Sequence, residues 1–352
     1  MFIKRLWIKN FRSYSFQEIF FEEGANIIIG ENGQGKTNLL EALHFAITGR
    51  SFRTDKLLEV IKKQTDTLYS HVVYEQGEIE HEMKIEYGQD KKKVFHNATS
   101  HPSLSSLTGI VPTISITPSD ISLLIGSPNE RRRFLNLLIS QHSSDYLHHL
   151  ARHQKALKAR NVLLKRKSKQ TIQAYETILA QSSSFISQKR IQTLEELAPL
   201  VQKEFFSLSN KTSNISIAYK GSPFPSVEYF LEQFNSCRSQ EEAVGYTLTG
   251  PHRDEILFFL NDLEIKNYAS EGQKRAFITA LKLAELNLLQ KKIGFSPLLF
   301  IDDFAIHLDS FRMQLLESLI HTYPQVFLTT PNNIFQKGTT YLVKDNLAKK
   351  MF

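Results

Sequence analysis

The sequence predicts an α/β fold in two parts, a parallel-sheet core built from both ends of the chain and a helical lobe inserted between them. Three observations predict it. Gly30-Glu31-Asn32-Gly33-Gln34-Gly35-Lys36-Thr37 fits the pattern G-x-x-x-x-G-K-[ST] and sits between a strand-like and a helix-like run. Ser296-Pro297-Leu298-Leu299-Phe300-Ile301-Asp302-Asp303 is a proline-started apolar run ending in two carboxylates. Between them, residues 131–206 are nearly free of Gly and Pro and read as a pair of long helices.

Taken in order, residues 2–9 alternate apolar and polar, and 15–21 form a second such run, so the chain opens with a hairpin around Asn10-Phe11-Arg12-Ser13-Tyr14. Asn26-Ile27-Ile28-Ile29 reads as a short buried strand. Leu39, Leu40, Leu43, Ala46 and Ile47 recur at helical spacing as far as Gly49. In this strand–loop–helix setting the glycines let successive N–H groups turn toward phosphates, and the positive end of the helix adds to that field. Lys36 would reach the β- and γ-phosphates of a bound nucleotide, and Thr37 would offer a hydroxyl to Mg²⁺.

Strand-like pieces at 71–74, 80–85 and 93–95, separated by Gly77 and Gly88-Gln89-Asp90, predict an antiparallel sheet beside this core. Pro112, Pro118 and Pro128 punctuate the passage from this sheet to the helical stretch. In that stretch, Leu150, Leu157 and Leu164 fall seven apart, the spacing of a short coiled-coil-like hairpin with its turn near 168–171. Gly221-Ser222-Pro223-Phe224-Pro225 reads as a loop leaving the lobe, and strand character returns at 243–248 and 255–260. The expected organisation is therefore 1–130 and 241–352 for the two halves of the core, with 131–240 as the inserted lobe.

The carboxylates complete the nucleotide site. A phosphate-loop core needs a strand beside the first with an acid at its tip to hold Mg²⁺, which fits Asp302. Asp303 would position or polarise the attacking water. Asp309-Ser310 then opens a helix with Phe311, Leu315, Leu316, Leu319 and Ile320 on one side, where Asp309 is also a good N-cap. Ser270-Glu271-Gly272-Gln273-Lys274-Arg275, before a helix over 276–289, is either a second anion cradle or a capping sequence.

Composition narrows the function classes. The 352 residues are 41% hydrophobic and 22% charged, a globular balance, and Lys and Arg exceed Asp and Glu by 43 − 36, or +7. That excess suits a polyanion partner such as nucleic acid. The single cysteine, Cys237, excludes an internal disulfide or a redox pair. The N-terminus lacks the apolar block of a signal peptide, and no run approaches a membrane span, so a cytoplasmic location and no membrane partner are expected. Asn210-Lys211-Thr212-Ser213 lacks the Asp that reads guanine, which argues against a GTPase.

The order of phosphate loop, Ser270 motif and Asp302 strand resembles the ATP-binding-cassette (ABC) ATPases. More narrowly, Lys9-Asn10-Phe11-Arg12-Ser13-Tyr14, the run 30–41, Gly49-Arg50-Ser51-Phe52-Arg53-Thr54, Gly126-Ser127-Pro128-Asn129-Glu130-Arg131-Arg132-Arg133-Phe134-Leu135, Thr249-Gly250-Pro251-His252-Arg253-Asp254 and the 270–275 run together resemble the RecF family. These are bacterial recombination mediators of the SMC and Rad50 group, and the resemblance covers the chain almost end to end. It implies an ABC-type head that binds ATP and Mg²⁺ and forms a homodimer on ATP. It also implies slow, DNA-stimulated hydrolysis used as a switch, and binding to junctions of single- and double-stranded DNA. Work with RecO and RecR to load RecA in repair, replication restart and the SOS response is implied by the same resemblance. By it, Gly30 to Thr37, Asp302 and Asp303 serve one protomer's ATP, Arg12 approaches it in cis, and Ser270, Gly272 and Gln273 complete it from the other protomer. Three places depart from the family pattern: Ala305-Ile306-His307-Leu308-Asp309 where small-Ser-Glu-Leu-Asp is usual, Ser119 for an acid, and Asn136 for a frequent Asp. Residues 117–120 lie where a switch loop is expected.

For DNA, Arg152, Lys155, Lys158, Arg160, Lys165, Arg166, Lys167 and Lys169 form a basic stretch without an acid. Such a face would hold phosphates without reading bases, or would simply be solvated. Arg50 and Arg53 are a second candidate, on a closed head dimer. The competing readings are a structural, DNA-tethering ATPase of the Rad50 type and a transporter- or translation-linked cassette ATPase.

Overall fold

The structure, a computed structural model, describes residues 1–168, 171–208, 213–303, 322–332 and 337–351. Lys169, Asn210-Lys211-Thr212, and the loop and helix expected over 305–320 lie outside them. The chain divides into two compact units, residues 1–120 with 290–352, and residues 121–289. The second unit is wider than the lobe expected over 131–240, because the 255–260 strand and the helix after Ser270 group with the helices rather than with the core.

In the first unit, β1 (Phe2–Phe11) and β2 (Tyr14–Phe20) form the opening hairpin and β3 (Gly24–Ile29) leads into the glycine loop and α1 (Lys36–Thr48). Then come β4 (Thr67–Gln76), β5 (Ile79–Gly88), β6 (Lys92–His96), β7 (Thr99–His101) and β8 (Thr113–Ile116). One antiparallel sheet has the order β2-β1-β4-β5-β6-β7, which joins the hairpin to the three strands read from the sequence. Its period-two apolar positions, such as Leu6, Ile8, Val72, Met83 and Ile85, are fully buried in the same core cluster as Leu39, Leu43 and Phe45 of α1. Helix α1 ends on Gly49 at φ 66°, where a Cβ would meet Leu104 at 2.9 Å. Only glycine fits there.

The second sheet joins chain segments more than about 300 residues apart, with Gly24 pairing with Gln325 and Asn26 with Thr339. With β12 (Leu298–Ile301), β13 (Gln325–Thr330), β14 (Thr339–Lys344) and β15 (Leu347–Lys350), its order is β15-β14-β3-β13-β12-β8. It is parallel except for β15. The Asp302 strand β12 is thus not beside β3, as expected; β13 lies between them. A continuous apolar run such as 325–330 suits any interior position of a parallel sheet, so its composition does not reveal strand order. Buried amides tie the sheets together. Gln325 Nε2 donates to the Ile3 carbonyl (2.9 Å) while its Oε1 accepts from Ile3 N (2.7 Å), and Gln17 makes the same exchange with Ala348 (3.1 and 2.9 Å).

The second unit holds α2 (Ser122–Ile125), α3 (Pro128–Ser140), α4 (Ser144–Lys165), α5 (Ile172–Leu208), β9 (Ile215–Lys220), α6 (Val227–Ser236), α7 (Arg238–Val244), β10 (Glu255–Leu260), β11 (Leu263–Glu264) and α8 (Ile265–Tyr268). The last helix, α9 (Glu271–Ile293), begins here. Where two long helices were expected there are three, because Ser143 caps a new helix by accepting from Tyr146 N at 3.2 Å. The strand expected at 243–248 is absent: Gly245, at φ 77°, closes α7 instead. Strands β9 and β11, unremarked in the sequence, flank β10.

The seam of α4 is also not the leucine row. The buried residues seven apart are Tyr146, His153 and Arg160, with Ala156 and Leu164 beside them, while Leu150 and Leu157 are half-buried. Arg160, expected in the basic face, is fully buried. Its Nη2 pairs with Glu241 Oε2 (2.6 Å) and Glu176 Oε1 (2.8 Å), its Nη1 donates to Thr247 Oγ1 (2.8 Å), and the guanidinium lies over the Phe234 ring. A second buried cation, Arg190, donates to Asp254 Oδ2, the Pro251 carbonyl and Asn136 Oδ1 (2.7, 2.7 and 3.0 Å). Asn136 also accepts from Tyr146 Oη at 2.6 Å.

His153 and His252 lie against each other, ring centroids 5.7 Å apart. Burial pushes their pKa values down to about 3 and about 4. Both are neutral when folded and protonate near 6.5 when unfolded, so the unfolded chain binds more protons below that value. Stability is therefore expected to fall as the pH drops from about 6.5 toward 4. Urea midpoints measured across that range should decline, and His153→Gln should flatten the slope by about one proton.

Candidate functional site

The loop after β3 has backbone conformations that only glycine supplies easily: Gly30, Gly33 and Gly35 have φ of 150°, 82° and 105°. A Cβ on Gly30 would stand 2.3 Å from the Val343 carbonyl oxygen, and one on Gly35 would stand 2.7 Å from Asn346 Oδ1. The turn left by these glycines places Lys36 and Thr37 at the start of α1. Lys36 Nζ donates to the carbonyls of Gly30 (2.7 Å) and Glu31 (3.0 Å), closing the loop on itself. Burial pulls the Lys36 ammonium below its ordinary pKa, opposed by the charges of Asp303 and Asp302.

Asp302 comes directly after β12, its own N–H donating to the Ile116 carbonyl of β8 at 2.9 Å. Its Oδ1 accepts from Thr37 Oγ1 and from Thr329 Oγ1, both at 2.8 Å. Burial raises its pKa above the usual carboxylate range, against the lowering effect of those two hydroxyls; the neighbouring Asp303 charge adds to the rise. Asp303 has φ 48°, its N–H donates to Thr329 Oγ1 at 2.8 Å, and its Oδ1 is buried without a hydrogen-bond partner. Thr37 and Asp302 thus meet directly, with Asp303 next along the chain. Thr329, at the tip of the intervening β13, was missed. Among a strand's β-branched residues it carried no separate signal.

Arg12, at φ 50° in the opening hairpin, is committed to Glu41. Its Nε and Nη2 donate to Oε2 (3.0 Å) and Oε1 (2.8 Å), and its Nη1 to the Glu59 carbonyl (2.7 Å). Glu41 is fully buried on α1, one turn past Thr37, and also accepts from Ser51 Oγ (2.5 Å) and Arg53 Nη1 (3.4 Å). It lies in the 30–41 run, yet sequence reasoning gave it no role. The missed signal is an acid inside an otherwise apolar helical stripe. A bidentate pair of this kind fixes orientation as well as charge, so Arg12 and Arg53 are held beside the loop through Glu41.

In the second unit Ser270 and Gln273 form a reciprocal cap on α9. Gln273 Oε1 accepts from Ser270 N (2.8 Å) and Ser270 Oγ accepts from Gln273 N (3.3 Å). Ser270, Glu271, Gly272 and Gln273 are all exposed. Capping does not consume the Ser270 hydroxyl, which keeps its proton to donate. Of the DNA candidates, Lys155, Lys158, Lys165, Arg166 and Lys167 are exposed and Arg152 is half-buried, donating to Gln181 Oε1 at 3.2 Å. Arg53 is exposed, and half-buried Arg50 donates to Thr108 Oγ1 at 3.0 Å. Thr117 N is capped by Asp120 Oδ2 at 2.6 Å.

A glycine cradle, a lysine and a hydroxyl after β3, with a buried acid after β12 on the far side of β13 in the same parallel sheet, define an ABC-type ATPase head. The family model described as the RecF/RecN/SMC N-terminal domain matches residues 2–348, and the chain belongs to that family. Within it the chain belongs with the RecF proteins. It is 36% identical to a DNA replication and repair protein RecF of Protochlamydia amoebophila, covering 95% of both chains. It is 34% identical to that of Chlamydia trachomatis serovar L2, covering 94% of this chain and 92% of the relative. A solved structure described as the recombination mediator protein RecF with ATP in the RecFOR pathway superposes with a TM-score of 0.93 at 27% identity, covering 100% of this chain and 98% of that one. An Smc head domain from Pyrococcus furiosus shares the fold, with a TM-score of 0.57 at 18% identity over 99% and 96% of the two chains. Among the described residues no helix is long and apolar enough to cross a membrane.

The raised Asp302 pKa has a sign that can be tested. Its folded value exceeds its unfolded one, so ionising it weakens the fold as pH rises through that interval. Asp302→Asn is expected to raise the melting temperature of nucleotide-free protein at pH 8, with the gain vanishing near pH 4.

Proposed function

We propose that the chain is an ATP-switched, DNA-binding recombination mediator that dimerises on ATP, recognises gapped or junction DNA and helps load RecA together with RecO and RecR. The observation that carries this reading is the convergence of Thr37, Asp302 and Thr329 behind the 30–37 loop, in a chain that resembles the ATP-bound RecF structure over its whole length.

The loop's N–H groups and the start of α1 would take the phosphates, with Lys36 leaving its two carbonyls for the β- and γ-phosphates. Thr37 Oγ1 and Asp302 Oδ1 are oxygen donors within 2.8 Å of each other, a set that suits Mg²⁺ completed by phosphate oxygens and water. When bound, Mg²⁺ would neutralise charge on the phosphates. Asp303, whose buried Oδ1 has no partner, would accept the proton of the attacking water and support slow hydrolysis.

The exposed Ser270, Gly272 and Gln273 would meet the γ-phosphate held by a second copy, so that ATP favours the closed dimer through its higher affinity for that state. The tethering alternative needs long arms. Helix α4 has 22 residues, about 33 Å at 1.5 Å per residue, and α5 carries Pro199 within its 37.

Lys36→Ala and Ser270→Arg should each abolish ATP-dependent dimerisation in light scattering and DNA retention in filter binding; unchanged behaviour would refute the mechanism. If the α4 face holds DNA, Lys155→Glu with Lys158→Glu should weaken gapped-DNA binding and lower the salt slope by about two. A gel shift comparing gapped with blunt DNA under ATP, ADP and a non-hydrolysable analogue measures both preference and switching.

A further inference from the structure

The C-terminal hairpin touches the phosphate loop along its length. Strand β14 pairs in parallel with β3 up to Leu342 opposite Ile29, which brings the Val343 carbonyl against Gly30 and leaves no room there for a Cβ. The hairpin then turns at Asp345 and Asn346, with φ of 51° and 58°, the two left-handed residues of a tight turn between antiparallel strands. Asp345 N donates to Gln34 Oε1 at 2.7 Å, and Asn346 N donates to the Gln34 carbonyl at 3.2 Å. Asn346 Oδ1, buried and without a hydrogen-bond partner, stands over the Cα of Gly35.

These bonds fix a direction. In a trans peptide the carbonyl of one residue and the N–H of the next point opposite ways. Holding the Gln34 carbonyl on Asn346 therefore turns the Gly35 N–H to the other side of the loop, away from the hairpin. On the next peptide, Tyr14 Oη donates to the Gly35 carbonyl at 3.1 Å and turns the Lys36 N–H in the same way. Neither anchor belongs to the G-x-x-x-x-G-K-T run, and the hairpin turn lies 311 residues further along the chain.

We propose that the Asp345-Asn346 turn is a positioning element for the phosphate cradle: by gripping Gln34 it aims the Gly35 N–H at the bound phosphates before nucleotide arrives. This rests on the loop being the ATP site. Donors already aimed need no reorganisation when charge arrives, and that is their advantage over a mobile glycine loop. The catalytic groups are Thr37, Asp302 and Asp303; the turn acts through Gln34.

The test uses the full chain and Mg²⁺·ATP, with binding read by calorimetry and the Gly35 amide followed by ¹⁵N NMR. A glycine inserted between Asp345 and Asn346 displaces both donors. The expected result is affinity at least about tenfold weaker, a smaller ATP-induced shift of the Gly35 amide, and a melting temperature close to that of the parent. Asn346→Gly keeps the backbone N–H and suits a positive φ, so its affinity should stay within about twofold of the parent. Should the insertion fail to fold, Gln34→Ala removes the Asp345 bond alone and should still weaken binding and reduce the shift. Parental affinity and an unaltered Gly35 shift in the insertion, or in Gln34→Ala if that variant is needed, overturn the proposal. A parent chain that binds no ATP would instead overturn the nucleotide-site reading, and the proposal with it.

Discussion

The bond between Thr37 and Asp302 joins residues 265 positions apart, and the site has no meaning without it. Each partner is placed by a different piece of sequence: Thr37 by a glycine loop that can only run into a helix, Asp302 by an apolar strand that can only lie inside a parallel sheet. Thr329 locks the pair from β13, donating to Asp302 while accepting from Asp303 N. Two strand ends and one helix start are thereby held in register by hydroxyls and a carboxylate rather than by apolar packing. The cost is visible in the protonation equilibria, since burial disfavours the charged forms of both Asp302 and Lys36.

What was legible in the sequence was mostly local. The phosphate loop, α1, the hairpin, the flanking antiparallel strands and the cap at Ser270 all announce themselves within a dozen residues, through glycine placement, alternation or a Ser-x-x-Gln spacing. What was not legible depends on long-range pairing. The order of β3, β13 and β12 leaves no mark on an apolar run, and Thr329 looks like any β-former until its neighbours are known. Residues 141–143 break the expected long helix without Gly or Pro, so Ser143 was the one local sign. At 243–248, alternating Val244, Tyr246 and Leu248 outweighed Gly245, although a glycine in the left-handed region is how a helix ends.

Charge was the least transferable signal. A run of basic residues on a helix suggests one outward face, yet the 3.6-residue period carries Arg160 to the seam with Tyr146 and His153. There it meets two acids from distant segments, Glu176 and Glu241. Such a cluster holds α4, α5 and α7 in one arrangement, because removing Arg160 would leave the Glu241 carboxylate buried without its cation. Glu41 shows the converse. An acid in the apolar stripe of α1 organises Arg12, Ser51 and Arg53 from the inside, so three motifs read separately along the chain are anchored to one carboxylate.

The charges around the loop are balanced in a way that leaves the site wanting a ligand. Lys36 spends its ammonium on loop carbonyls, burial opposes the charged form of Asp302, and Asp303 has an oxygen with nothing to accept from. A triphosphate with its cation would relieve all three at once: the ammonium gains anions, the carboxylate gains a cation, and the water shell brings donors to Asp303. Whatever binds here adds its free energy to the folded state. The bonds it would stabilise are those that tie the first third of the chain to the last, so nucleotide and fold share the same few contacts.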